Sequence, residues 1–353
     1  MRRKITMMLQ AAAAATVLTV SGCSAGTGAQ TTAAPAETTA AETTAAETTA
    51  VETEAETEAL AVADSGVQGL VTIEDDTVPL YAKPAGSHVS QPAASGTTVY
   101  ENGKAKIDAS NISQGYVMIQ YSGSKNRIKI QITKGGTTYT YDLNARDAYE
   151  VFPFSEGNGT YSVKIFENVS GNQYAQAFSK DLSVNLADPF GPFLYPNQYV
   201  NFSAGSAAVQ TGAQVAASAT DAIGVVTNVY NYVTSNIKYD TAKAQSVQSG
   251  YLPNVDSTLA SKTGICFDYA ALMTAMLRSQ DIPTKLVIGY TGSMYHAWVN
   301  VYIDNVGWVD NFIYFDGHDW SLMDPTFAAS GGSDESIKKY IGDGANYQAK
   351  YSY

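Results

Sequence analysis

The sequence predicts a chain of two folded parts, an all-β part followed by one that mixes helices with strands. Three observations carry this. Between residues 67 and 186, short runs of alternating apolar and polar residues recur, separated by Gly, Asn and Ser turns. From 262 to 283, KTGICFDYAALMTAMLRSQDIP, the residues Tyr269, Leu272, Met273, Met276 and Leu277 fall at steps of three and four, the spacing of one helix face. After that helix the alternation returns, most clearly in HAWVNVYI at 296–303, where His296, Trp298, Asn300 and Tyr302 share one face and Ala297, Val299, Val301 and Ile303 the other.

Residues 1–23 read as a targeting segment. Arg2, Arg3 and Lys4 form a basic head, and the apolar stretch to Val20 has the length of a signal-peptide core rather than of a membrane span. It ends Val20-Ser21-Gly22-Cys23, which resembles the bacterial lipobox, whose Cys takes a diacylglyceryl thioether and becomes the first mature residue. The expectation is lipidation at Cys23 and an extracellular protein anchored to the outer face of the bacterial cell membrane. Residues 24–66 then form a low-complexity Ala/Thr/Glu tether. They contain no Lys, Arg or aromatic residue, so they bury too little apolar surface to offset chain entropy. Their seven glutamates between 37 and 58 supply much of the net charge of −12 and extend the tether by repulsion. An acidic balance of this kind argues against nucleic-acid binding.

Residues 67–186 suggest a β-sandwich of immunoglobulin-like size. Alternation runs over 104–109 and 116–121, and Ile128, Ile130 and Ile132 oppose Arg127, Lys129 and Gln131. Gly135-Gly136 turns the chain into the next run, 137–143, and further strands are expected over 149–154, 161–167 and 174–186. No constellation for chemistry stands out here, and His88 reads as a solvated loop residue. The second part, 187–353, opens with a Pro-punctuated aromatic stretch. A helix follows over about 221–237, with Thr220 or Asp221 as its cap and Ile223, Val226, Tyr230 and Val233 on its apolar face. The long loop to Ser261 is a candidate cleft wall. After the central helix come strand-like runs at 285–290, 296–303, 307–315 and 320–324. A turn at 316–319 exposes His318, a short helix is expected over 333–341, and a last strand over 346–353.

The chemistry centres on Cys266. The chain has two cysteines, and with Cys23 lipidated Cys266 has no disulfide partner. Cys266 falls at a helix N-terminus, where orphan N–H groups and the helix dipole favour the nucleophilic thiolate. A nucleophile needs a base, which His296 supplies. Asp324 then stands as the group that orients it, giving nucleophile, base and orienter in series.

These residues resemble the transglutaminase-like, papain-like cysteine superfamily. Its bacterial members carry G-x-C-x-[DG]-[YF]-A, then H-A-W-x-x-V, then W-x-x-x-D-P-T. Here these read Gly264 to Ala270, His296 to Val301 and Trp320 to Thr326. The resemblance covers roughly the last 150 residues, about one domain length. It implies an α+β domain in which the Cys helix packs on an antiparallel sheet, preceded by the β-sandwich. It also implies a Cys266, His296, Asp324 triad acting on acyl groups of peptide, protein or peptidoglycan-stem substrates. Asp310 rivals Asp324, because the segment after HAW is longer than the family's. The Cys266 N–H is one oxyanion donor, and Tyr239 and Trp298 are candidates for a second donor or for the cleft. No cofactor is expected: three scattered histidines give no metal-ligand spacing. The chain is expected to act as a monomer. The competing reading is a non-catalytic surface lipoprotein that binds or scaffolds.

Overall fold

The computed structural model describes residues 87–304, 307–309, 313–315, 320–322 and 347–353. Cys23, the tether, Asp310, Asp324, His318 and the helix expected at 333–341 lie outside the described residues.

Period-two burial builds the first part. Its strands are β1 (Val99–Glu101), β2 (Ala105–Asp108), β3 (Tyr116–Tyr121), β4 (Ile128–Lys134), β5 (Thr137–Asp142), β6 (Glu150–Pro153), β7 (Gly159–Ser170) and β8 (Gln173–Val184). They form two antiparallel sheets, ordered β1-β2-β3-β6 and β5-β4-β7-β8. In β4 the three isoleucines are buried and Lys129 and Gln131 are half-buried, as the alternation requires. The sheets meet through rings from opposite layers: Tyr141 against Phe152 at 5.1 Å and Phe154 against Tyr161 at 4.7 Å. A Tyr121 hydroxyl also donates to Glu167 Oε2 across the layers, at 2.7 Å. Gly135, at φ +57°, makes the β4–β5 turn.

The second part begins with α1 (Ala207–Ala216) and α2 (Ala222–Asn236). The expected cap holds: Asp221 accepts from the Gly224 N–H at 2.7 Å. Next come β9 (Lys238–Tyr239), α3 (Thr241–Ser246), α4 (Val255–Ser261), β10 (Thr263–Gly264) and α5 (Cys266–Arg278). The strands β11 (Thr284–Thr291), β12 (Met294–Ile303), β13 (Gly307–Val309), β14 (Ile313–Phe315), β15 (Trp320–Leu322) and β16 (Tyr347–Ser352) complete it. One antiparallel sheet is ordered β13-β12-β11-β16, and β14 pairs with β15 apart from it. The run expected over 307–315 is therefore two short strands in different sheets. Helix α1 was not expected, because the buried face of AAVQTGAQVA is mostly small residues, Ala208, Gly212 and Ala216 beside Val209, and α3 and α4 divide the expected long loop.

Helix α5 is buried all round from Asp268 to Arg278, not on one face. Its alanines leave room for neighbours, and Gly212 of α1 lies so close that an added Cβ would stand 3.2 Å from Met276. At its C-terminal end Arg278, 1% exposed, ties three segments together. Its guanidinium donates to the carbonyls of Thr284, Tyr195 and Tyr353 at 2.6–2.9 Å.

The two parts share one apolar core. Gln198 Nε2 donates to Asp142 O and Glu150 Oε1, and the Tyr353 ring packs on Tyr139 at 5.5 Å and Tyr141 at 5.8 Å. His88 is solvent-exposed as expected, and it also clips the chain to the far end of α5. Its Nδ1 lies 2.9 Å from Asp281 Oδ1, and its N–H donates to Ser279 O.

Candidate active site

Cys266 is the first residue of α5 and is half-exposed. Two local features place it. Ile265 is extended, at φ −94° and ψ 175°, so the chain enters the helix sharply. Gly264 before it pairs in parallel with Tyr239 of β9, and a Cβ at Gly264 would lie 2.6 Å from Asp268 Cβ. Only glycine allows the entry strand to pass so close to the first helical turn. Tyr239 thus stands on the strand beside the Cys266 entry, half-buried.

The first turn is fixed by a buried carboxylate. Asp268 is fully buried. Its Oδ2 accepts from the Ile265 N–H at 2.8 Å and from Lys243 Nζ at 2.6 Å, and its Oδ1 accepts from the Tyr251 hydroxyl at 2.5 Å. Lys243 also donates to the Tyr251 oxygen at 2.7 Å, which closes the network. Burial alone would lower the Lys243 pKa, but its bonds to Asp268 and Tyr251 outweigh this and the net shift is upward. Burial and the Asp268 bond both raise the Tyr251 pKa. Both partners come from the 240–254 stretch, so the expected cleft wall is bolted to the helix that carries Cys266. Neither Lys243 nor Tyr251 carried a signal in the sequence, because their partner lies 25 and 17 residues away.

His296 lies on β12 directly opposite Gly289 of β11 and is 5% exposed. Its ring runs nearly parallel to that of Trp298, with centroids 6.5 Å apart. Gly289 is again obligatory: a Cβ there would meet Gln348 O of β16 at 2.0 Å and the Trp298 ring at 2.8 Å. Trp298 is buried and its Nε1 finds no hydrogen-bond partner among the described residues. Asn300 is buried further along the same face. The opposite face, with Ala297, Val299, Val301 and Ile303, enters the core that α5 shares. Tyr295, the residue before His296, lies on the same face of β12 as Ala297 and Val299. His296 follows it in the chain, with its Cα about 3.8 Å away. Tyr295 was absent from the sequence reading, as a single tyrosine before HAW gives no pattern.

Phe267, beside Cys266, continues this aromatic surround. Its ring meets Tyr251 at 6.3 Å and Tyr199 at 5.7 Å, and Tyr199 lies tilted against Tyr353 at 4.2 Å. The rings next to the thiol are thereby continuous with the sandwich. Among the described residues no three His, Cys, Asp or Glu side chains lie together as metal ligands.

Residues 209–311 match the sequence profile of the Transglutaminase-like superfamily; the match takes in Asp310 and ends before Asp324. The UPF0252 protein MJ1282 of Methanocaldococcus jannaschii is 36% identical over 101 residues, which are 25% of this chain and 29% of that protein. Among solved structures, a presumptive cysteine protease from Cytophaga hutchinsonii aligns over 73% of this chain and 74% of its own, with 13% identity and a TM-score of 0.34. The periplasmic domain of TgpA from Pseudomonas aeruginosa aligns over 75% and 88%, with 15% identity and a TM-score of 0.32. The segment 209–311, which holds Cys266 and His296, is a transglutaminase-like domain.

Proposed function

We propose that this chain is a lipid-anchored, extracellular thiol enzyme that transfers acyl groups of peptides, with hydrolysis ahead of cross-linking. The supporting observation is the placement of Cys266 as the first residue of a buried helix inside the transglutaminase-like segment, with its entry fixed by Gly264 and Asp268. A thiol there meets orphan N–H groups and the positive end of the helix dipole.

The steps run as follows. His296 takes the thiol proton as the sulfur attacks an amide or ester carbonyl. The carbonyl oxygen becomes an oxyanion held by the Cys266 N–H, with Tyr239 or Trp298 as a second donor. His296 returns the proton to the leaving amine or alcohol, and a thioester remains on Cys266. Water or an amine then attacks the thioester, His296 takes the attacking proton, and the free thiol is restored. Asp324 holds the imidazole in the right tautomer and stabilises its charged form. The substrate class is a peptide, a protein or a peptidoglycan stem, and Cys23 with the acidic tether presents the enzyme to it from the outer membrane face.

The test is to trap the thioester. The full chain, incubated with peptide and peptidoglycan-stem libraries and quenched in acid, should show an acyl mass gain on the peptide holding Cys266. That gain should vanish in His296→Ala. If no library member ever acylates Cys266, the enzymatic reading fails.

A further inference from the structure

Among the described residues only four large apolar side chains are left exposed, and two of them are Tyr290 and Tyr295. They stand directly opposite each other at the end of the β11–β12 hairpin, one register step beyond the Gly289–His296 pair. Their rings meet edge to face at 5.5 Å, and they are 38% and 59% exposed. Strand alternation explains where they point. The next pairs on the same face, Ile288 with Ala297 and Leu286 with Val299, are buried in the core shared with α5. The face therefore continues past the covered pairs and emerges at the tyrosine pair. Cys266 opens α5, the helix that packs against β11 and β12.

Taking the Cys266 acyl-transfer reading as its basis, we propose that Tyr290 and Tyr295 form a specificity subsite that receives a bulky apolar side chain of the acyl donor, next to the bond that is cut. An exposed aromatic pair offers a large flat apolar surface at little entropy cost, since each ring already rests on the other. Its hydroxyl groups keep it wettable while empty. A peptide whose carbonyl reaches Cys266 sets its neighbouring side chain within reach of these rings. Gly292, at φ +60°, makes the tight turn that holds the two strands, and hence the pair, in register.

Two peptidyl vinyl sulfones, with Phe or Gly beside the electrophile, would test this on the full chain by their second-order labelling rates at Cys266. The wild type should label with the Phe probe about tenfold faster than with the Gly probe, the discrimination a single apolar contact supplies. In Tyr295→Ala, and in the pair Tyr290→Ala with Tyr295→Ala, the ratio should fall close to one. Val169→Ala, an exposed apolar residue on the sandwich, should keep the wild-type ratio. A ratio that stays near tenfold in both tyrosine variants overturns the subsite. So does a wild type that labels equally with both probes, or one that prefers a sugar-bearing probe to the Phe probe. Failure of Cys266 to react with any probe would instead bring down the acyl-transfer reading, and the subsite with it.

Discussion

Removing the Lys243 ammonium tests whether the 240–254 stretch holds the Cys266 helix in place. In Lys243→Met the Asp268 carboxylate stays fully buried and keeps the Tyr251 hydroxyl and the Ile265 N–H, but loses a cation 2.6 Å away. Breaking a buried ion pair from one side typically costs about 3–5 kcal/mol. The Lys243 side chain is 29% exposed, so water already screens part of the interaction. A loss of about 2 kcal/mol is the expected net effect. For a chain of this size that lowers Tm by about 4–8 °C. Chemical denaturation and calorimetry would read it. The double variant Lys243→Met with Asp268→Leu removes both charges, and it should be less destabilised than the two singles added together. The pH dependence has a definite sign. Because the Lys243 pKa is raised, its contribution is complete below the ordinary value of 10.5 and disappears as pH climbs through the higher folded value. The gap between wild type and Lys243→Met should therefore be constant through neutral pH and close in strong alkali. A Lys243→Met protein within about 0.5 kcal/mol of wild type, with strictly additive doubles, would refute the clamp.

Other expectations follow from single contacts. Arg278→Met strips the donors from the carbonyls of Thr284, Tyr195 and Tyr353 and should cost about 3 kcal/mol in urea unfolding, and Arg278→Lys should recover little because a point ammonium cannot match the fork. Gly289→Ala drives a methyl into the Gln348 carbonyl and the Trp298 ring, and its Tm should fall by several degrees as the β11–β16 ladder opens. Cys23→Ala should leave the protein in the soluble fraction or unprocessed in cell fractionation; persistence with membranes after leader cleavage would rule out the lipid anchor.

Much of this architecture was legible in the sequence because it rests on local periodicity. The isoleucine alternation and Gly135-Gly136 placed β4 and β5 almost to the residue, and Asp221 named the cap of α2. The start of α5 at Cys266 followed from the step-three and step-four apolar pattern. What escaped was either short or long-range. Helix α1 packs on α5 through Gly212, and its buried stripe of Ala208, Val209, Gly212 and Ala216 is too small-sided to stand out as a core face. The Lys243–Tyr251–Asp268 network and the Tyr290–Tyr295 pair depend on residues brought together only by the fold. The same is true of the rings that join the sandwich to Phe267: the many tyrosines were visible, but not their convergence.

The central claim, that Cys266 is a nucleophile served by His296 and Asp324, is tested most directly by labelling with a thiol-directed electrophile such as iodoacetamide. Rates would be measured at neutral pH for the wild type, His296→Ala, Asp324→Asn and Asp310→Asn, with folding checked by circular dichroism. Wild-type Cys266 should label rapidly, with a large loss in His296→Ala and Asp324→Asn and a mild effect in Asp310→Asn. Equal rates in wild type and His296→Ala would contradict that claim, and loss in Asp310→Asn with retention in Asp324→Asn would move the third role to Asp310.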